Sequence, residues 1–337
     1  MKKILVTGGT GYIGSHTLVD LIQNGFDVIS VDNLSNSTED CLVGVEQITG
    51  KKVKNYPIDL ANLDATRKIF QEHSDLAGVI HFAALKLVGE SVEKPLKYFH
   101  NNLNSLLNII SCMQEFKVPN LIFSSSCSVY GNSKTLPVTE STPFQEAESP
   151  YARTKQMGEQ ICTDIAQAEK DLNFVLLRYF NPAGAHESAL IGESPSNQPS
   201  NLVPVITGTA IGKRAQMTVF GDDYDTRDGS NIRDYIHVMD LANAHTKALQ
   251  LLIENRQASN LEIFNLGIGD GVSVLEAIAA FESISGQKLN YKIGPRRPGD
   301  VIAIYANNQK AAEGLGWKPT RDMDKIMESA WAWEQKR

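Results

Sequence analysis

Through the first half of the chain, short apolar runs bounded by glycine or polar turns alternate with longer stretches of helical apolar spacing. Lys3 to Thr7 is a short apolar strand, Ile13 to Asn24 a helix ending at Gly25, and Asp27 to Val31 a second strand. Leu63 to His73 reads as a helix, Gly78 to Phe82 as a buried strand and Lys97 to Phe116 as a long helix. Leu121 to Ser124 is a further strand, Pro150 to Lys170 a helix and Phe174 to Tyr179 a strand. Strands that alternate with helices pair in parallel through right-handed crossovers, which predicts an α/β, doubly wound sheet of Rossmann type. After Asn181 the texture changes. Glu187 to Asn201, rich in Ser, Pro, Asn and Gly, predicts a long loop, and Gly221 to Asp234 an acidic one. A helix around Val203 to Gly212 lies between them. A strand at Ile263 to Leu266 follows, and Ser273 with Glu276 forms a capping box for the next helix.

Bulk properties narrow the class. A chain of 337 residues exceeds one ordinary core, so two domains or one elaborated domain are expected. With 42% hydrophobic and 21% charged residues it is an ordinary soluble globular protein. A net charge of -7 argues against general nucleic-acid binding, so an anionic ligand needs locally placed arginines. No stretch approaches the roughly 18 apolar residues of a membrane span. The N-terminal apolar run breaks at once into glycines and is read as a strand, not as a signal peptide. Cys41, Cys112, Cys127 and Cys162 lack paired spacing, which suits reduced thiols in the cytosol.

Gly8-Gly9-Thr10-Gly11-Tyr12-Ile13-Gly14 follows the first strand and opens the first helix. Glycines there permit a tight turn and close approach of a pyrophosphate to the backbone, and the helix start offers unpaired N–H groups. Asp32 ends the next strand, where a carboxylate accepts from both ribose hydroxyls and repels a 2′-phosphate. NAD is therefore favoured over NADP. Ser149-Pro150 reads as an N-cap with proline in the first turn, which places Tyr151 and Lys155 on one helix face. A cation beside a phenol can lower its pKa and make it a base; a surface helix that merely carries both residues is the plainer alternative. Arg233 and Arg297 are candidates for phosphate, though each could equally be a surface ion pair. Asp223, Asp225 and Asp228 resemble a calcium loop, but Arg227 takes a ligand place and Gly229 stands one place late. The seven histidines lack metal-ligand spacing, so no metal is expected. Ser124 to Ser126 is not in a Gly-x-Ser-x-Gly elbow, which argues against a hydrolase.

Taken together, the glycine motif, the serine run and the Tyr-x-x-x-Lys pair resemble the extended short-chain dehydrogenase/reductase superfamily. More narrowly, the chain is similar to the UDP-glucose 4-epimerase family along nearly its whole length. Asp32-Asn33-Leu34-Ser35-Asn36-Ser37, His81-Phe82-Ala83-Ala84-Leu85-Lys86 and Leu177 to His186 carry that resemblance, with Asn201-Leu202-Val203-Pro204 and Arg233 to Val238. It implies that Tyr151 takes the proton of the sugar C4 hydroxyl while the C4 hydride passes to NAD. A 4-keto sugar then turns over and receives the hydride on its opposite face. Lys155 would hold the nicotinamide ribose and, with the cofactor's charge, lower the tyrosine pKa toward ~7. Ser126 would hydrogen-bond the same hydroxyl.

The resemblance further implies a cofactor lining of Gly8, Gly11, Tyr12, Ile13, Gly14, the Asp32 to Ser37 stretch, Asp59, Leu60, Phe82, Ala83, Ala84, Lys86, Asn101 and Phe180, with Ser126, Tyr151 and Lys155. Lys86, Ser126 and Tyr151 would also meet the substrate, UDP-glucose or UDP-galactose, together with Asn181, Asn201, Leu202, Thr218, Phe220, Arg233, Tyr235, Arg297 and Asp300. Residues 1–180 with about 235–268 are assigned to an NAD-binding domain, and 181–234 with about 269–337 to a smaller mixed α/β domain for the UDP-sugar. A cytoplasmic homodimer, joined through the Lys97 to Phe116 and Pro150 to Lys170 helices, is implied as well. Three departures stand out. Cys127-Ser128 follows Ser126 where related dehydratases carry an Asp-Glu pair. Ile304 stands where relatives often carry tyrosine or cysteine, so tolerance of N-acetylated sugars stays open; Ala84, in place of a glycine, is expected to matter little. The alternatives are epimerisation of another UDP-sugar, or a non-catalytic NAD-binding scaffold.

Overall fold

The computed structural model describes residues 1–194, 199–297 and 300–337. Residues 195–198 of the expected long loop, and 298–299 beside Arg297, lie outside the described residues. Six strands of the central sheet are β1 (Lys3–Thr7), β2 (Asp27–Val31), β3 (Asn55–Tyr56), β4 (Leu76–His81), β5 (Asn120–Ser126) and β6 (Asn173–Tyr179). With Leu261–Leu266 at one edge, the order is Leu261–Leu266, β6, β5, β4, β1, β2, β3. Every neighbouring pair is parallel. From β1 the chain runs outward to β3 and then returns to β4 on the other side, so the order reverses between β1 and β4. At such a reversal, beyond the carboxyl ends of the strands, open α/β sheets form the crevice that takes their ligands.

Eight helices matter to the site or to its support: α1 (Tyr12–Gln23), α2 (Asp40–Thr49), α3 (Leu63–Glu72), α4 (Val88–Glu93), α5 (Pro95–Phe116), α6 (Pro150–Ala168), α7 (Leu202–Ala210) and α8 (Val238–Ile253). The sheet separates two cores. Leu18, Leu21, Leu241 and Leu249 of α1 and α8 fill one side; Phe70, Ile109, Met113 and Cys162 of α3, α5 and α6 fill the other. Ala311, Leu315 and Trp317, far down the chain, also pack into the first core. A third core joins Val203 and Ile206 of α7 to Phe281, Ile326 and Met327.

Three of these eight helices, α2, α4 and α8, have no counterpart in the pattern read from the sequence, nor have the later helices Gln309–Gly314 and Met323–Lys336. α8 buries the polar Asp240, His245 and Thr246 along with its apolar residues, so its polar positions do not simply mark a solvent face. α2 carries Gly44, a poor helix former, in its middle. The serine run also differs from expectation: β5 continues through Ser126, because Ser124, Ser125 and Ser126 pair in register with Leu177, Arg178 and Tyr179. The acidic loop, too, contains a strand. Ile232–Arg233 pairs with Val272–Ser273 and with Ala303–Ile304. Among the described residues no helix is long and apolar enough to cross a membrane.

Candidate active site

The glycine turn sits at the reversal point. Gly8 has φ +69°, donates its N–H to Val31 O at 2.8 Å, and lies against the backbone of Phe82 and Ala83. A side chain at Gly14 would run into Gly8 O, so the first turn of α1 can approach the strand end only with glycine there. No side chain caps α1, whose N-cap is Gly11, so its leading N–H groups have no side-chain acceptor at that end. Asp32 Oδ1 accepts from Leu34 N at 2.9 Å and Ser37 Oγ at 3.1 Å, while Thr10 Oγ1 and Ser37 Oγ stand 2.7 Å apart. The second Asp32 oxygen takes no hydrogen bond from the described residues, as a carboxylate waiting for a ribose diol should. The cradle and the carboxylate fit a dinucleotide.

Other expected cofactor residues border the same crevice. Asp59 caps the turn at Ala61 N, Leu60 is buried, and Phe82 packs on His245 with centroids 4.6 Å apart. Asn102, beside Asn101, bonds both to Leu85 and to Thr154 of α6, tying the segment after β4 to that helix. Phe180 is buried next to Ile304 and Tyr130.

Ser149 Oγ accepts from Ala152 N at 3.2 Å and Pro150 takes the first turn, so α6 begins as its sequence demands. Tyr151 and Lys155 then face the end of β5. Lys155 Nζ donates to Ser124 O at 2.6 Å and lies 6.0 Å from the Tyr151 ring centre. Burial pushes the Lys155 ammonium down to about 8, with Glu159 opposing. Tyr151 differs in direction from the expectation of a lowered pKa. Burial, then the Tyr179 phenol, hold it far above its ordinary value, and the Ser126 hydroxyl only partly offsets them. The chain by itself therefore keeps this phenol protonated. Lys155, whose ammonium donates to the Ser124 carbonyl, does not reverse that.

Opposite this group lie the expected nucleotide-sugar residues. Arg233 Nη2 is 3.6 Å from Asp300 Oδ1, Arg297 Nε is 3.2 Å from Asp300 Oδ2, and the Arg297 guanidinium sits 5.0 Å from the Phe220 ring centre. Arg233 and Asp300 are both largely covered, and Tyr235 is buried beside them. Thr218 lies in the strand Met217–Phe220, two residues before Phe220. Asn181 leads into the short pairing with Tyr235. Asn201 and Leu202 start α7, and Asn201 Nδ2 donates to Glu193 at 2.7 Å. Lys86 is exposed at the rim, where its charge reaches Glu193.

Sequence reasoning did not single out Glu193, which stands among Tyr12, Lys86 and Asn201 and whose carboxyl is raised by burial. Nor did it single out Tyr179, whose hydroxyl is 2.5 Å from Ser124 Oγ, or the Glu159–Arg178 pair behind β5. Only Glu159 left a legible signal, as the next step of the Tyr151, Lys155 spacing of four.

Residues 5–330 match the family model for GDP-mannose 4,6 dehydratase. The UDP-glucose 4-epimerase of Bacillus subtilis is 46% identical over 331 residues, spanning 98% of this chain and 96% of that one. Among solved structures, the UDP-glucose 4-epimerase from Bifidobacterium longum in complex with NAD+ and UDP superimposes with TM-score 0.94 at 46% identity, covering 99% and 98% of the two chains. The UDP-glucose-4-epimerase from Stenotrophomonas maltophila, with bound NAD and formylated UDP-arabinopyranose, gives 0.96 at 44% identity, covering 100% and 98%.

Proposed function

The chain belongs to the UDP-glucose 4-epimerase family, and we propose that its crevice performs the reaction with Tyr151, Lys155 and Ser126 as the working side chains. The protein interconverts UDP-galactose and UDP-glucose and is an NAD-dependent isomerase. NAD, when bound, accepts the C4 hydride and returns it to the opposite face of the 4-keto sugar. Gly8, Gly11 and Gly14 admit the pyrophosphate, and Asp32 takes the adenosine ribose. Tyr151 removes the C4 hydroxyl proton and gives it back. Ser126 orients that hydroxyl, and Lys155, anchored on Ser124 O, holds the nicotinamide ribose. Arg233 and Arg297 meet the two phosphates, with Phe220 and Asp300 shaping the uridine end. A fixed nucleotide lets the hexose rotate between the two transfers, so strong contacts belong on UDP and not on the sugar.

One observation supports this reading above the rest. Ser126, Tyr151 and Lys155 converge at the end of β5, beside a glycine cradle and an Asp32 oxygen free among the described residues. A dehydratase would also need an acid–base pair after the serine, where this chain has Cys127 and Ser128. The test is conversion of UDP-galactose to UDP-glucose by purified protein without added cofactor. Release of NAD on denaturation and conversion at a steady rate are expected; no conversion would overturn the assignment. Including UDP-N-acetylglucosamine in the panel decides what the buried Ile304 allows.

We assign residues 1–180 with about 235–268 to the cofactor and 181–234 with about 269–337 to the UDP-sugar, the division that the strand order favours. A cytoplasmic setting fits four free thiols. A homodimer through α5 and α6 fits the exposure of Leu107 on α5 and Met157 on α6.

A further inference from the structure

We propose that Glu159 is a positioning residue for the reaction: from one turn beyond Lys155 on the same face of α6, its carboxylate sets a negative charge behind the lysine and pins the Ser124–Ser126 strand end through Ser125, with Arg178 as its counter-ion. The proposal rests on Lys155 working as a cation in the site described above.

Tyr151, Lys155 and Glu159 follow one another at intervals of four along α6, so they share a face. Glu159 is 2% exposed and Arg178 3%. Ser125 Oγ donates to Glu159 Oε1. Arg178 Nε donates to the two carboxylate oxygens at 2.9 and 3.1 Å, and Nη2 donates at 2.6 Å. The remaining arginine nitrogen donates to Tyr130 Oη at 3.0 Å and Glu140 O at 3.1 Å. Arg178 is also the cross-strand partner of Ser125. Helix, strand and neighbouring strand are thus joined through one carboxylate.

An ion pair buried this deeply is a poor device for stability alone, since removing two charges from water costs about as much as their attraction returns. Its location points elsewhere. Ser125 lies between Ser124, whose carbonyl holds Lys155, and Ser126, which faces the reacting hydroxyl. Several groups surround the lysine. α6 supplies Tyr151 and Glu159, and β5 the Ser124 carbonyl and the Phe123 ring, 5.1 Å away. β4 supplies His81, which burial keeps neutral with a pKa of about 3. β6 supplies Arg178 and Tyr179. Glu159 is the carboxylate in this shell, and its field is what opposes the burial of the ammonium. Without it, a lysine already near pH 8 would lose its proton in the working range.

The test compares E159Q, E159Q/R178M, S125A and K155M in the NAD-containing protein. One readout is the Lys155 titration in protein carrying 13C-labelled lysine, its signal identified by loss in K155M; the other is the pH–rate profile with UDP-galactose. Gln keeps an acceptor for Ser125 and removes the charge. E159Q should move the Lys155 midpoint and the alkaline limb of the rate profile down together by about one pH unit, a tenfold change in protonation. If E159Q does not fold, the double variant, which strands no buried charge, should move the midpoint down by a smaller amount, about half a unit, because the Arg178 cation that opposes the ammonium leaves with the carboxylate. S125A keeps the charge and should keep the midpoint. A midpoint that stays within about 0.2 unit of wild type in the charge variants, or that moves in S125A, overturns the proposal. Full activity in K155M would instead overturn the site reading on which it rests.

Discussion

A phenol surrounded as Tyr151 is cannot serve as a base until something beyond the chain favours its anion. Burial and Tyr179 both push its pKa up, and the nearest cation is already bonded to a carbonyl. Replacing Tyr151 with Phe removes the oxygen proposed to take the C4 proton. We expect Y151F to lose at least about 10²-fold in turnover, the usual worth of a positioned base. NAD should stay bound, because the glycine cradle and Asp32 are untouched. Turnover assays, with absorbance of the cofactor released on denaturation, check both halves. At this scale residue types and spacing were legible, since a glycine motif, an Asp and a Tyr-x-x-x-Lys pair are local facts. The protonation of the phenol was not, because it depends on how many apolar neighbours from other elements displace water.

The helix α6 turns that residue chemistry into geometry. Its start is set by Ser149 and Pro150, and Tyr151 lies in its first turn, where a frayed end would move the hydroxyl. S149A should lower stability by about 1 kcal/mol, the ordinary value of an N-cap, and should lower kcat more than it raises KM for UDP-galactose. Denaturant unfolding and steady-state kinetics measure the two. A variant with lowered stability and unchanged kcat would detach the cap from the site. The helices that were read from sequence hold to within a few residues; α5 starts at Pro95 where Lys97 was expected, whereas Met323–Lys336 was not read at all. The capping box of Ser273 and Glu276 is present as predicted, with both reciprocal bonds formed. α8 was not read, although twelve of its sixteen residues are buried: Asp240, His245 and Thr246 are polar in the sequence yet packed inside, which only the tertiary contacts reveal.

At the scale of the molecule, burial of histidines sets an acid limit. His16, His81 and His245 are held at about 3, about 3 and about 4 by burial. Unfolded histidine binds its proton near 6.5. Below that pH the unfolded chain takes up protons that the folded chain refuses, so stability falls as pH drops from about 6.5 toward 4. Asp234, raised by burial to about 6, works the other way over a smaller span and offsets only part of the loss. The thermal midpoint should fall steadily between pH 7 and 5 by circular dichroism, and a flat midpoint would show that these rings are not kept neutral. The proposed dimer is tested at the same scale. A double L107E/M157E variant should shift the mass in sedimentation from two chains to one, while wild type stays at two. A wild-type monomer ends that proposal.

What the sequence by itself determined is whatever a short window can hold: the alternation of strand and helix, the glycine turn with its acidic partner, the spacing of tyrosine and lysine, and the nucleotide-sugar phrases. These are local because hydrogen bonding within a helix, turn chemistry and side-chain period act over a few residues. Only the tertiary structure decided which charges meet. Arg178 finds Glu159 across β6 and α6, Arg233 finds Asp300, and Glu193 arrives beside Asn201 and Lys86. Those pairings arise from strand order and from the exclusion of water between layers, and no window of sequence contains either.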